Sequence, residues 1–329
     1  MRRREKGRKV DGWLILDKPV GMTSTEAVAR VKRLFDAQKA GHAGTLDPLA
    51  SGSLPIALGE ATKTVPFVMD GRKVYRFTVR WGEETTTDDA EGAVAAASDR
   101  LPSEGEIRAL LPEFTGRISQ VPPQFSAVKI AGERAYDLAR DGEAVDLKAR
   151  DIAVHRLELI ESPDPDSAVF RAECGKGAYV RALARDMGRR LGSYGHVVAL
   201  RRLVVGPFGE DDMIVLEKLE EMRHNAEASG GHLAAEALHS VATALDGIPA
   251  LAMTESDAAR LKRGQAVILR GRDAPVMSGP AYASFGGVPV ALGEVEMGAF
   301  NPKRVFNLSG GRHRSAASIA KRMTDVDHT

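Results

Sequence analysis

Residues 73–81, KVYRFTVRW, constrain the fold more than any other stretch. Tyr75, Phe77 and Val79 fall on one side of an extended segment and Arg76, Thr78 and Arg80 on the other, the period of two expected of a strand with one buried face. Strand patterns recur at 12–17, 153–160 and 168–174. Helical spacing is found at 24–36, around 104–111 and at 178–191. The first helix is announced by the capping-box pair Thr23 and Glu26, and the last ends before Gly192, a favoured residue just past a helix. Strands and helices mixed in this order, without strict strand–helix–strand alternation, predict an α+β domain on a mixed, largely antiparallel sheet with flanking helices.

The chain has 329 residues, of which 43% are hydrophobic, enough for two domains and a sizeable core. No apolar run is long enough to span a bilayer, and the basic start MRRREKGRKV lacks the apolar stretch of a secretory signal. Cys174, the single cysteine, excludes an internal disulfide framework and fits a reducing cytosol. The net charge is only +1, but its distribution is uneven. The first nine residues carry Arg2, Arg3, Arg4, Lys6, Arg8 and Lys9 against Glu5, and eight basic residues face two acids between Arg171 and Arg202. Such stripes suit either a polyanion-binding face or solvated helix surface.

Residues 40–60, AGHAGTLDPLASGSLPIALGE, are rich enough in glycine and proline to predict a long structured loop, the kind of segment that tends to carry function. Gly59-Glu60-Ala61-Thr62-Lys63-Thr64 lacks the glycine before lysine that a phosphate-binding loop needs. The eight histidines show no metal-ligand spacing, so neither a metal nor another cofactor is expected.

Taken together, residues 41–63 resemble the catalytic motif of the TruB family of pseudouridine synthases. Further motifs follow in family order. Leu16-Asp17-Lys18-Pro19 with Gly21-Met22-Thr23-Ser24 resembles the opening motif, and Val74-Tyr75-Arg76-Phe77 the tyrosine strand. Thr87-Asp88-Asp89-Ala90-Glu91-Gly92 resembles the acidic loop, and Gln120-Val121-Pro122-Pro123 with Phe125-Ser126-Ala127-Val128-Lys129 the start of an RNA-gripping insertion at about 120–150. Cys174 to Arg181 resembles the arginine motif, and Leu200-Arg201-Arg202-Leu203 a further one.

The resemblance implies isomerisation of a T-loop uridine of tRNA, position 55, with catalytic Asp47, Tyr75 and Arg181 and with Lys18, His42 and Leu200 binding the substrate. The N1–C1′ bond breaks, the uracil rotates, and C5 rejoins C1′. An ionised carboxylate serves as nucleophile at C1′ or as base at C2′, and the sequence leaves both open. Buried, it needs a cationic partner, the part implied for Arg181. Tyr75 would stack on the base and handle a proton, and His42 would fill the space that the extruded uridine vacates.

The expected domains are a basic tail at 1–11, a catalytic domain at 12–247, a small C-terminal β-barrel (PUA-like) at 248–308 and a disordered tail at 309–329. The stretch from about 220 to 247 reads as helix and linker. The expected partner is the T-arm of tRNA, with no membrane and no obligatory protein partner, for a cytoplasmic monomer. The competing readings are a non-catalytic RNA-folding protein and a guide-RNA-dependent relative that relies on protein partners.

Overall fold

The computed structural model describes residues 7–126, 129–130, 133–134, 147–229, 231–233, 237–269 and 277–308. Most of the expected insertion at 120–150, the first six residues of the basic tail and the tail from 309 lie outside these.

The chain runs through β1 (Gly12–Lys18), helix α1 (Ser24–Leu34), β2 (Ala40–His42), β3 (Ala50–Leu58), helix α2 (Val65–Asp70) and β4 (Lys73–Trp81). The hairpin of β5 (Glu83–Thr85) and β6 (Val94–Ala97) precedes helix α3 (Glu104–Leu110), β7 (Gly116–Gln120) and two short strands, β8 (Lys129–Ile130) and β9 (Glu133–Arg134). There follow β10 (Arg150–Asp164), β11 (Ser167–Cys174), helix α4 (Val180–Leu191), β12 (Gly195–Val205), β13 (Met213–Val215) and helix α5 (Leu216–Ala228).

One sheet orders these strands as β13, β1, β3, β12, β4, β11, β10 and β7, with β2 beside β3. β1 with β13 and β3 with β12 are parallel; the other neighbours are antiparallel. The mixed, largely antiparallel α+β reading therefore describes this domain. Helix α1 begins with both hydrogen bonds of the Thr23–Glu26 capping box, and α4 stops at Gly192, whose φ of 69° suits a residue without Cβ.

Three expectations need correction. Residues 40–60 contain two strands rather than one long loop. β3 lies inside the sheet and is buried almost throughout, so it lacks the polar–apolar alternation of a half-buried strand. Gly52 belongs to it because a Cβ there would lie 2.2 Å from the Arg202 carbonyl oxygen, at a φ of +98°. The irregular part shrinks to 43–49. The basic run 171–202 is not a free cationic face either: Arg181, Arg185 and Arg202 are buried, and Arg189, Arg190 and Arg201 pair with Glu84, Glu113 and Asp17.

Thirdly, the stretch before 247 is not a linker. His239 bridges Trp13 through both backbone hydrogen bonds, and Val241, Ala244 and Leu245 are buried with Trp13, Ile15 and Phe208. This second core covers the sheet face opposite the one packed by α1, α4 and α5. Leu292 and Phe306 of the C-terminal region join it, and Lys63 Nζ reaches the Val305 carbonyl at 2.8 Å.

The C-terminal region builds a five-stranded sheet in the order β14 (Ala250–Ala252), β16 (Gly279–Phe285), β17 (Val288–Glu296), β18 (Ala299–Val305) and β15 (Val267–Ile268). Helix α6 (Glu255–Lys262) packs on it through Ala258 and Leu261. A curled sheet of this kind fits half of a barrel. Among the described residues, no helix is long and apolar enough to cross a membrane.

Candidate active site

The short segment 43–49 is tied down at nearly every residue. The Ser24 hydroxyl accepts from Leu46 N and donates to Leu46 O, both at 2.9 Å. Gly21 N donates to Pro48 O at 2.8 Å. Lys18 Nζ, fully buried, donates to Pro19 O at 2.8 Å, to Met22 O at 2.7 Å and to Pro48 O at 3.4 Å. Asp47 is thus fixed from both flanks while its side chain keeps 35% exposure. It is the open carboxylate in an otherwise closed setting.

Its cationic partner comes from the first turn of α4. Arg181, 5% exposed, places Nη2 2.9 Å from Asp47 Oδ2 and Nη1 3.4 Å from Asp89 Oδ2. The same guanidinium donates to the Thr87 and Phe125 carbonyls, each at 2.9 Å. A cation held by two carboxylates and two carbonyls has little freedom to turn.

Down the helix the pattern repeats. Arg185 meets Asp88 at 2.9 Å, and Arg189 grips both oxygens of Glu84 at 2.7 and 2.6 Å. Spacing of four residues puts the three arginines on one helix stripe, and the segment 84–89 supplies the acids opposite. Burial pushes Asp88 up to about 6, against the pull of Arg185.

Tyr75 on β4 lines the other side of the site, half-buried. Burial raises its phenol above the ordinary value, and the neighbouring Arg202 guanidinium works against that rise. Lys18 is lowered to about 8, chiefly by burial; Asp47 raises it and Arg202 lowers it further. Asp47, Tyr75, Arg181 and Lys18 therefore share one neighbourhood. His42 closes β2, partly exposed, opposite Ile56 of β3. Leu200 is buried between Ala50 and Phe77 on the neighbouring strands.

The sequence reading assigned no role to Asp89, Arg202, Ser24 or Gln120. Gln120 accepts from Tyr179 N at 2.9 Å and donates to Tyr179 O at 3.1 Å, fixing the turn that leads into Arg181. Asp89 could have been suspected from the arginine spacing on α4, which calls for acids at matched intervals. Ser24 could not, because helix-start serines serve capping far more often than they dock a distant loop.

The chain resembles known proteins over most of its length. Residues 32–180 match the TruB family pseudouridylate synthase (N terminal domain), and 181–246 match the tRNA pseudouridylate synthase B C-terminal domain. A protein of Bradyrhizobium diazoefficiens named tRNA pseudouridine synthase B is 66% identical over 303 residues, covering 92% of this chain and 88% of its own. One of the same name from Chelativorans sp. (strain BNC1) is 59% identical, covering 93% and 99%. Among solved structures, a Cbf5-Nop10-Gar1 complex contains a chain 28% identical, with a TM-score of 0.68 and coverage of 89% and 84%. With identity this high over nearly the full length, the chain belongs to the TruB family of pseudouridylate synthases.

Proposed function

We propose that this enzyme isomerises the T-loop uridine at position 55 of tRNA to pseudouridine, with Asp47 as the catalytic carboxylate. The observation that carries the reading is the Arg181–Asp47 pair at 2.9 Å, in which a buried arginine steadies a carboxylate that is itself 35% exposed. Uracil must leave the sugar, turn and return through C5. Such a reaction needs one ionised group at the sugar and a pocket that retains the detached base.

Tyr75 stacks on the extruded base in this reading, and its raised phenol stays protonated at neutral pH. Lys18 and Leu200 complete the pocket, and His42 occupies the position that the flipped uridine leaves. Extrusion costs roughly a few kcal/mol, to be recovered through stacking and phosphate contacts. The cations Lys18, Arg181 and Arg202 stand around Asp47, with Asp89 and Glu26 nearby. Residues 12–247 act as the catalytic domain and 248–308 as an accessory RNA-binding unit, in a cytoplasmic monomer that needs no protein partner. The names and high identity of the bacterial relatives favour this stand-alone reading over a guide-RNA-dependent one.

Asp47→Asn tests the proposal. It keeps the shape and removes the charge, so full-length tRNA transcript should still bind while pseudouridine formation falls at least a thousandfold. Chemical mapping of pseudouridine on bare transcript, beside a filter-binding titration, reads both quantities. Turnover within tenfold of the unmodified enzyme sinks the assignment, and a requirement for an added protein or guide RNA sinks the stand-alone reading.

A further inference from the structure

Arg202 is the most deeply buried arginine among the described residues, 2% exposed, and it stands at the centre of the sheet. Its backbone pairs with Tyr75 of β4 on one side and with Gly52 of β3 on the other. Residues paired directly across a sheet point to the same face, so Tyr75, Arg202 and Gly52 form one row under the site. Gly52 lets the two strands close up, since a Cβ there would lie 2.2 Å from the Arg202 carbonyl oxygen and 3.0 Å from its amide nitrogen.

From this position the guanidinium reaches three main-chain carbonyls. Nε donates to Ser53 O at 2.8 Å, Nη1 to Thr45 O at 3.2 Å and Nη2 to Gly44 O at 3.1 Å. Gly44 and Thr45 lie before Asp47, and Ser53 after it. A single side chain thus joins the two legs of the segment that carries the carboxylate. A lysine's three donors radiate from a single nitrogen and lack the fixed planar spread by which the guanidinium reaches both legs. Burying a cation is costly unless its donors are satisfied, and here the acceptors belong to the loop that needs fixing.

We propose that Arg202 is a positioning residue for pseudouridine formation, clamping both legs of the Asp47 loop and seating it against Tyr75 in the adjacent strand. The proposal rests on the assignment of Asp47 as the catalytic carboxylate. The arginine touches no substrate in this role; it sets where Asp47 and the Tyr75 hydroxyl stand relative to the sugar and base. Displacements of about 1 Å at such groups cost roughly a hundredfold in rate.

The test compares Arg202→Lys and Arg202→Met with the unmodified enzyme on full-length tRNA, together with melting curves and amide exchange across residues 43–51. In Arg202→Met, kcat should fall roughly a hundredfold while KM stays within about threefold, the signature of a lost catalytic geometry rather than lost binding. Arg202→Lys should recover part of that loss. The amides of Ala43 and Ala50, which close the loop onto Pro55 O and Asp47 O, should exchange faster in both variants. A folded Arg202→Met enzyme with unchanged kcat, or with only KM raised, overturns the proposal. Failure of both variants to fold also overturns it, by making Arg202 a folding residue. Asp47→Asn, assayed in parallel, separates the two claims. If it remains active, the carboxylate assignment falls; if it is dead while Arg202→Met turns over normally, only the clamp falls.

Discussion

On the α4 side of the Asp47 loop, each arginine of one helix stripe meets a carboxylate: Arg181 meets Asp47 and Asp89, Arg185 meets Asp88, and Arg189 meets Glu84. On the sheet side, Lys18 and Arg202 meet main-chain carbonyls. The first arrangement nearly cancels its charge and depends on the ionisation of its acids. The second has acceptors that neither titrate nor change with a side chain. The carboxylate proposed as catalytic is thus held by a direct ion pair on one flank and flanked by fixed cations on the other.

The largest effect in this comparison should come from Arg181, which serves the paired side and touches Asp47 directly. Replacing it with methionine leaves Asp89 buried without its cation and Asp47 without its anchor. Losing one partner of a buried pair costs about 3–5 kcal/mol, so urea unfolding should show a loss of that order. Single-turnover pseudouridine formation should fall a thousandfold or more. A folded Arg181→Met enzyme with near-normal turnover would break the comparison at its first term, since the pair would then be structural decoration.

Lys18 sharpens the sheet side, because its charge can be removed by pH alone. Burial holds it at about 8 against an ordinary 10.5. Between these values the unfolded chain binds a proton that the folded one does not, so this group makes stability rise with pH across that interval. The cost of burying the ammonium is present below pH 8. Activity should move the other way: deprotonation removes a donor from the three carbonyls and positive charge from beside Asp47, so kcat/KM should decline through about pH 8, by roughly tenfold per unit at most. Lys18→Met should flatten both profiles. Stability and activity that fall together above pH 8 would show that Lys18 is not the group responsible.

The contrast between the two sides also explains what could be read in advance. The ladder on α4 is periodic, so Arg181, Arg185 and Arg189 can be read as a stripe from their spacing of four, although their acids bury Arg181 and Arg185 and pair Arg189. Tyr75 stood out because its strand alternates. The carbonyl side leaves no such trace, since nothing in the side-chain sequence shows that Arg202 reaches back to Gly44 or that Ser24 docks Leu46. β3 escaped notice for a related reason: buried on both faces, it does not alternate, and Gly52 and Pro55 read as loop residues. Likewise 237–247 resembled a linker because its few apolar residues find their partners in Trp13 and Phe208, more than 200 and about 30 positions away.

The smallest expected effect lies on the same helix, one residue beyond the stripe. Arg190 pairs with Glu113 at 2.9 Å, but the two side chains are 63% and 51% exposed. Water screens such a pair, and ordering two long side chains offsets most of the attraction, so exposed pairs contribute about 0.2–1 kcal/mol. Arg190 also sits about 100° around the helix from Arg189, away from the acids at 84–89. Arg190→Ala should therefore change the free energy of unfolding by less than about 1 kcal/mol and leave kcat unchanged. A double-mutant cycle with Glu113→Ala isolates the coupling, and raising the salt concentration should erase what remains of it. A coupling above about 2 kcal/mol, or a loss of turnover in Arg190→Ala, would mean that the arginines of α4 act as one cluster rather than as a stripe specified by the acids it faces.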